Sequence, residues 1–201
     1  MFINSSNEEI KAKQLIEKYF DSSYKKLAHN KKRDDFDFTD PERTFAVEQT
    51  TYIESNTIEV KEYEEILSKG FAPNKHKLKG VTFSDDNHVS GYIGKGPSTV
   101  KREIIKVIRR KNRICQKRIE KEKTFKKVDL IITIPFEIFY MFYDSIASLD
   151  ECVCKNGSSF SNIYLVFASR IYLFNVAKRL CSFIDYPKWV TFASKKLLLD
   201  K

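Results

Sequence analysis

The run Val128-Asp129-Leu130-Ile131-Ile132-Thr133-Ile134 constrains the fold more than any other segment of this chain. Its β-branched residues and the Pro135 that follows predict a buried strand. Residues 162–167 form a second such run. Because buried strands need other layers packed on them, and helical patterns lie between these runs, we expect a central mixed β-sheet flanked by helices, of the α/β (α+β) class. At 201 residues, the chain suits a single domain, 1–201.

The other elements follow from periodicity and from turn and capping residues. A first helix, with Ala12, Leu15, Ile16, Tyr19 and Phe20 on its apolar face, is predicted over 5–30. Further helices are predicted over 57–69, 98–123 and 136–149, weak strands over 81–84 and 89–93, and a hairpin partner for the second buried strand over 170–176. The last 25 residues fit neither pattern clearly.

Residues 34–52 predict a β-hairpin, because two alternating segments flank the turn residues Asp40-Pro41-Glu42-Arg43. If these four residues form the turn, Asp35 lies opposite Glu48. Alternation then places Asp35, Asp37 and Glu48 on one face. Opposed carboxylates destabilise a hairpin unless a cation neutralises them, and Mg²⁺ prefers such oxygen ligands. The alternative is a solvated face of an exposed hairpin, and a register slip of one residue would reverse the faces.

The segment from Asp35 to Thr50 resembles the core motif of the PD-(D/E)XK nuclease superfamily, in the variant that ends in Glu-x-Thr instead of Glu-x-Lys. The resemblance covers about residues 1–135 and implies a restriction-endonuclease-like core. It also implies that Asp35 and Glu48 are catalytic ligands of Mg²⁺, with Asp37 as the alternative to Asp35. The metal would activate a water for phosphodiester hydrolysis. Thr50 stands where the motif lysine would be, so the positive charge comes from elsewhere or the protein is inactive.

The helix predicted over 98–123 offers a replacement for that charge. Thirteen Lys or Arg and three Glu occur between Lys101 and Lys127. The helix has an apolar stripe formed by Ile104, Ile108, Cys115 and Ile119, and Lys111 falls in its middle. An ammonium there should meet a carboxylate or extend outward to water. We therefore expect Lys111 to reach the carboxylate face and to complete the catalytic set; the alternative is a side chain that only extends outward.

The remaining cations of this helix predict contacts with an anionic partner. Lys101, Lys106, Arg110 and Arg113 are the candidate nucleic-acid-binding residues, and the formal net charge of +9 agrees with a phosphate-rich partner. The expected function is metal-dependent hydrolysis of phosphodiester bonds in DNA. The alternatives are an inactive nucleic-acid-binding protein and a protein-interaction subunit that uses the same helix.

The composition also limits the other partners and the cellular location. No apolar run approaches the roughly 18 residues that a membrane span needs, and the N-terminal residues lack a signal-peptide core. We expect a cytoplasmic protein that uses no small-molecule cofactor and that could form a homodimer.

Overall fold

The computed structural model contains a seven-stranded mixed sheet and a separate two-stranded sheet. The structure describes residues 5–30, 35–52, 55–75, 78, 81–92, 97–134, 150–167 and 170–185. The strands are Ala28–His29 (β1), Phe38–Thr39 (β2), Phe45–Thr51 (β3), Val81–Phe83 (β4), Val89–Tyr92 (β5), Lys127–Thr133 (β6), Asn162–Val166 (β7), Arg170–Asn175 (β8) and Leu180–Asp185 (β9). The helices are Ser5–Tyr19 (α1), Ser55–Ser68 (α2), Pro97–Lys121 (α3) and Asp150–Asn156 (α4). The predicted α+β class is confirmed.

The strand directions explain why the two apolar runs are so uniformly buried. β6 pairs in parallel with β3 on one side and with β7 on the other, so it lies in the interior of the sheet. β1, β2 and β3 form an antiparallel meander, as do β7, β8 and β9. The parallel strands carry apolar residues on both faces because both faces are covered. The predicted hairpins, the helix over 57–69 and both weak strands are also confirmed.

The first helix ends earlier than the sequence predicts. α1 stops at Tyr19, and a short 3-10 helix, Ser22–Lys26, follows it before β1. The Asp21 carboxylate accepts a hydrogen bond from the Ser23 N–H, which caps the 3-10 helix. The Tyr24 hydroxyl donates to the buried Asp129 carboxylate at 2.8 Å, so a tertiary contact favours this break over a longer helix.

Two cores hold the sheet between its helices. On one face, the predicted apolar face of α1 packs around Phe38, Phe45, Val47 and Ile131. Residues on the other face, including Ala46, Leu130 and Ile132, are fully buried. On this second side, Ile104, Ile108 and Cys115 of α3 are also fully buried, as the predicted stripe requires.

The chain divides into two compact units. One contains residues 1–52 and 103–201, and the other contains residues 53–102. In the second unit, Tyr63 of α2 packs against Phe83 of β4 with ring centroids 5.2 Å apart. None of the described helices combines the length and apolar character needed to span a bilayer.

Four of the described elements were not predicted from the sequence. They are the 3-10 helix Ser22–Lys26 and β1, which replace the end of the predicted first helix, together with α4 and the edge strand β9. The helix predicted over 136–149 lies outside the described residues, as does the chain after Asp185.

The packing of α3 should depend on its buried stripe. Ile108→Ala should lower the free energy of unfolding by roughly 2–5 kcal/mol, because it removes a fully buried side chain and leaves a cavity. Ile114, which is 37% exposed on the same helix, provides the control: Ile114→Ala should cost less than about 1 kcal/mol. Urea unfolding of both variants measures the difference, and equal losses would contradict this packing.

Candidate functional site

The candidate site lies where β2 ends and β3 continues without a neighbouring strand on that side. β2 pairs only Phe38 with Val47 and Thr39 with Ala46. The next backbone groups of β3 on that side belong to Gln49. The Gln49 N–H donates to the Asp37 carboxylate at 2.6 Å, and the Gln49 carbonyl accepts from Lys111 Nζ at 3.4 Å. Side chains thus satisfy the backbone groups that a longer β2 would have paired.

The predicted register of the hairpin is wrong by two residues. The Asp40 N–H donates to the Phe45 carbonyl, so four residues, Pro41–Thr44, form the loop. The Asp40 carboxylate stabilises this longer loop by accepting hydrogen bonds from the Thr44 N–H, the Thr44 hydroxyl and the Phe45 N–H. Arg43 takes a left-handed conformation, with φ of 53°, as loops of this length often require.

The shift moves Asp37, and not Asp35, to the position opposite Glu48. Because it equals two residues, Asp37 and Glu48 still share a face, as predicted. Phe36, which directly precedes Asp37, packs edge-on against Phe125 with ring centroids 4.9 Å apart.

Asp35 is committed to another partner. Its two oxygens accept hydrogen bonds from the Arg43 guanidinium at 2.9 and 3.0 Å, and these bonds lower the pKa of the Asp35 carboxyl. Arg43 also pairs with Glu122, just after the end of α3. Arg43 thus joins the hairpin loop to the end of this helix and Asp35 holds its guanidinium, so the prediction that Asp35 opposes Glu48 is incorrect.

Glu48 is buried and carries two ion pairs. Lys111 Nζ lies 2.6 Å from Glu48 Oε1, and Arg118 Nη1 lies 2.6 Å from Glu48 Oε2. The Glu48 side chain is only 5% exposed, whereas the Lys111 and Arg118 side chains are 16% and 22% exposed. Two cations that lie two turns apart on α3 therefore neutralise one carboxylate of β3. The expected contact between Lys111 and the carboxylate face is present.

Arg118 was not among the predicted site residues, although its position gave a signal. It follows Lys111 by seven residues, or two helical turns, so both side chains emerge on the same side of α3. Its guanidinium also lies 5.3 Å from the centre of the Phe36 ring, a cation–π distance. The buried Cys115 lies between the two cations along the helix, and burial raises the pKa of its thiol.

Asp37 has no cationic partner among the described residues comparable to those of Glu48. Its carboxylate accepts the Gln49 N–H, but burial and the nearby Glu48 charge raise the pKa of Asp37 to about 6. Glu9 of α1 adds to this effect. An anionic Asp37 beside Glu48 is therefore unfavourable, and a further cation would stabilise it.

The predicted nucleic-acid-binding residues lie away from these carboxylates. Lys106, Arg110 and Arg113 are exposed, and together with Arg109 and Ile114 they line a shallow groove on α3. Lys101 is half-buried and belongs to the second compact unit. The structure thus separates the predicted phosphate contacts from Lys111.

The oxygen groups beside Lys111 are of the chemical type that Mg²⁺ prefers, although Lys111 and Arg118 already bond both oxygens of Glu48. Mg²⁺ is usually held by one or two carboxylates with other oxygen ligands and water. Asp37, Glu48 and the Gln49 carbonyl provide two carboxylates and a main-chain oxygen at one end of the hairpin. Within the described ranges, no group of three or more His, Cys, Asp or Glu side chains is placed to hold a metal ion.

The chain matches no family model, no curated protein and no solved structure. The contacts of Asp37, Glu48 and Lys111 are therefore the features that bear on its function.

The raised pKa of Asp37 predicts a pH-dependent effect of Asp37→Asn. The folded state binds the Asp37 proton more tightly than the unfolded state, whose pKa is 3.8, because the folded pKa is about 6. The contribution of Asp37 to stability therefore falls as pH rises from 3.8 to about 6. Asparagine stays neutral and can still accept the Gln49 N–H. At pH 8 without divalent metal, Asp37→Asn should therefore be more stable than the natural protein, by up to about 3 kcal/mol.

Urea unfolding at pH 4 and pH 8 in EDTA tests this expectation. The advantage of the variant should nearly vanish at pH 4, where the natural Asp37 is protonated. Asp85→Asn, in an exposed turn, serves as the control and should change stability little at either pH. An advantage of equal size at both pH values would show that ionisation of Asp37 is not the cause.

Proposed function

We propose that this protein is a metal-dependent nuclease that hydrolyses phosphodiester bonds in DNA at Asp37, Glu48 and Lys111. The observation that carries the proposal is the 2.6 Å contact between Lys111 Nζ and Glu48 Oε1. It supplies from α3 the positive charge that Thr50 cannot supply from β3. The proposed site corresponds to the one that the resemblance to the PD-(D/E)XK superfamily implies, except that Asp37 takes the role first assigned to Asp35.

The placement of Lys111 supports a functional role because it is costly. Burying an ammonium and a carboxylate removes both from water, and their attraction often only balances that cost. An apolar residue at 111 would continue the stripe formed by Ile104, Ile108 and Cys115. A lysine at this position is therefore better explained by the charge it brings than by stability.

Each residue would have a distinct role in the reaction. Asp37, Glu48 and the Gln49 carbonyl would hold Mg²⁺, which supplies Lewis-acid polarisation of the phosphodiester and a hydroxide nucleophile at neutral pH. Lys111 would place its ammonium where negative charge develops on the phosphate. Glu48 orients that ammonium through its Oε1 atom, and the Gln49 carbonyl provides a second acceptor for it.

A second candidate function is nucleic-acid binding without hydrolysis. The observation that favours it is that Lys111 and Arg118 already bond both oxygens of Glu48. Glu48 is thus satisfied without a metal, and the cluster could serve only to attach α3 to the sheet. The same helix could then bind a nucleic acid or an acidic protein.

Cleavage assays distinguish these functions. The natural protein should nick supercoiled plasmid DNA with Mg²⁺ or Mn²⁺ and not in EDTA. Glu48→Gln and Lys111→Met should each lower the rate by at least about 100-fold, because each removes a charge at the reacting phosphate or its metal. Glu42→Gln, in the exposed hairpin loop, is the control and should cleave at the natural rate.

Two results would count against the nuclease. One is metal-independent cleavage, and the other is an unchanged rate in Glu48→Gln from a preparation free of contaminating nuclease. DNA binding without cleavage by the natural protein would favour the second candidate.

The two ion pairs of Glu48 also predict how metal affinity responds to mutation. Arg118 competes with a metal for Glu48 Oε2, so Arg118→Ala should bind Mn²⁺ more tightly, by roughly tenfold, the effect of about one charged hydrogen bond. Arg113→Ala, on the exposed side of α3, is the control for the general loss of one positive charge. Titration calorimetry measures both affinities. Equal affinities for the two variants would show that Arg118 does not compete with the metal.

A further inference from the structure

α3 has a second charged face, directed away from the sheet. Lys106, Arg113 and Lys117 lie roughly 120–160° around the helix axis from Lys111. Because Lys111 contacts Glu48 on the sheet, this other side faces outward, and the exposure of its residues agrees. The exposed cations of this outward face, within the first compact unit, are Lys106, Arg109, Arg110, Arg113, Lys117 and Lys121.

These cations form a regular row. Lys106, Arg110, Arg113, Lys117 and Lys121 follow one another at steps of three or four residues, so each stands about one helical turn from the next. The row is about 22 Å long. Its cations outnumber the acidic residues of the same face, where Glu120 already accepts a hydrogen bond from Gln116 at 3.2 Å. Such a row suits a polymer with regularly spaced negative charges.

The ion pairs of the site do not use these cations. Glu48 takes Lys111 and Arg118. Of the outward face, Arg109 donates to the Asn156 side chain at 2.6 Å, which is a neutral partner. Among the described residues, Lys106, Arg110 and Arg113 have no carboxylate within ion-pair distance, so their charges remain available to a ligand.

The chemistry of the face favours a nucleic acid over an acidic protein. Protein interfaces have apolar or aromatic centres with few charges, whereas nucleic-acid interfaces are polar and strongly positive. Ile114 is the single apolar residue among those lining the groove with Lys106, Arg109, Arg110 and Arg113. The groove therefore lacks the apolar anchor that a protein partner would bury.

We infer that the outward face of α3 binds the phosphodiester backbone of a nucleic acid, without sequence preference and without metal, at a surface separate from Asp37 and Glu48. The stretch of nucleic acid bound by the outward face is not the stretch that would be cleaved at Asp37 and Glu48, because the two faces of α3 point in opposite directions. The inference rests on the proposed function only for the cleavage of that other stretch. Binding by the outward face needs no chemistry at Glu48.

Binding of labelled 20-mer DNA in EDTA at several salt concentrations tests this surface. If the five cations of the row each contact a phosphate, the slope of log affinity against log salt should be about −4.5 for duplex and about −3.5 for single-stranded DNA. The triple variant Lys106→Gln, Arg110→Gln, Arg113→Gln should weaken binding at least tenfold at low salt and make the slope shallower by about three. Slopes of this size support the surface, and the probe that binds more tightly identifies the strandedness it prefers.

The matched control removes the same charge elsewhere. The triple variant Lys25→Gln, Lys26→Gln, Lys178→Gln replaces three exposed lysines and should keep most of the affinity and the natural slope. Equal losses in the two triple variants would overturn the inference, since net charge alone would then explain binding. Binding of polyglutamate as tight as that of DNA would also overturn it in favour of an acidic protein partner.

The plasmid assay fails independently of this one. If the natural protein binds DNA in EDTA with the expected slope but never cleaves it, the proposed nuclease activity fails and the binding surface stands. In the opposite case, the natural protein cleaves DNA with metal, and the triple variant of α3 binds DNA with the natural affinity and salt slope. The binding surface then fails and the nuclease proposal stands.

Discussion

The burial of Glu48 is the constraint on which the rest of this site depends. A carboxylate only 5% exposed at the middle of a sheet needs cationic partners, since an unpaired buried charge is strongly destabilising. α3 supplies two of them from positions two helical turns apart, which determines how the helix lies on the sheet. The apolar residues Ile104 and Ile108 bury the same side of α3. The same side of α3 therefore carries both the apolar packing and the two charges that neutralise Glu48.

The end of β2 determines what else gathers around that carboxylate. If β2 were longer, strand pairing would satisfy the Gln49 backbone, and the Asp37 carboxylate would not accept the Gln49 N–H. Because β2 stops, the Gln49 N–H donates to Asp37 at 2.6 Å, and the Gln49 carbonyl is open to Lys111 at 3.4 Å. The stronger contact of Lys111 is with Glu48 at 2.6 Å. The end of β2 therefore places Asp37 beside Glu48, whereas Glu48 itself holds Lys111.

The position of Lys111 could be predicted from the sequence, whereas the register that places Asp37 opposite Glu48 could not. Helical phase depends only on backbone geometry, so the position of Lys111 on the apolar stripe could be counted from the sequence. Hairpin register depends on loop length, and here the Asp40 side chain stabilises a loop of four residues that the Asp-Pro pattern does not distinguish from a shorter turn. The early end of α1 was missed for a similar reason, because the Tyr24–Asp129 hydrogen bond joins residues 105 positions apart. Periodicity thus predicted which faces of the elements are buried. The end of α1 and the register of the hairpin depend on side-chain hydrogen bonds that periodicity does not show.

The origin of the lysine changes what controls the charge at this site. A lysine at position 50 would be held by β3 itself, at a fixed distance from Glu48 along one strand. Lys111 comes from a different element, so its distance to Glu48 depends on how α3 packs, and Arg118 shares the same carboxylate. A ligand that pulled on the outward face of α3 would therefore act on the same rigid helix that carries Lys111 and Arg118. This connection follows from the two faces of one helix, and it needs no contact between the proposed nucleic-acid ligand and the carboxylates.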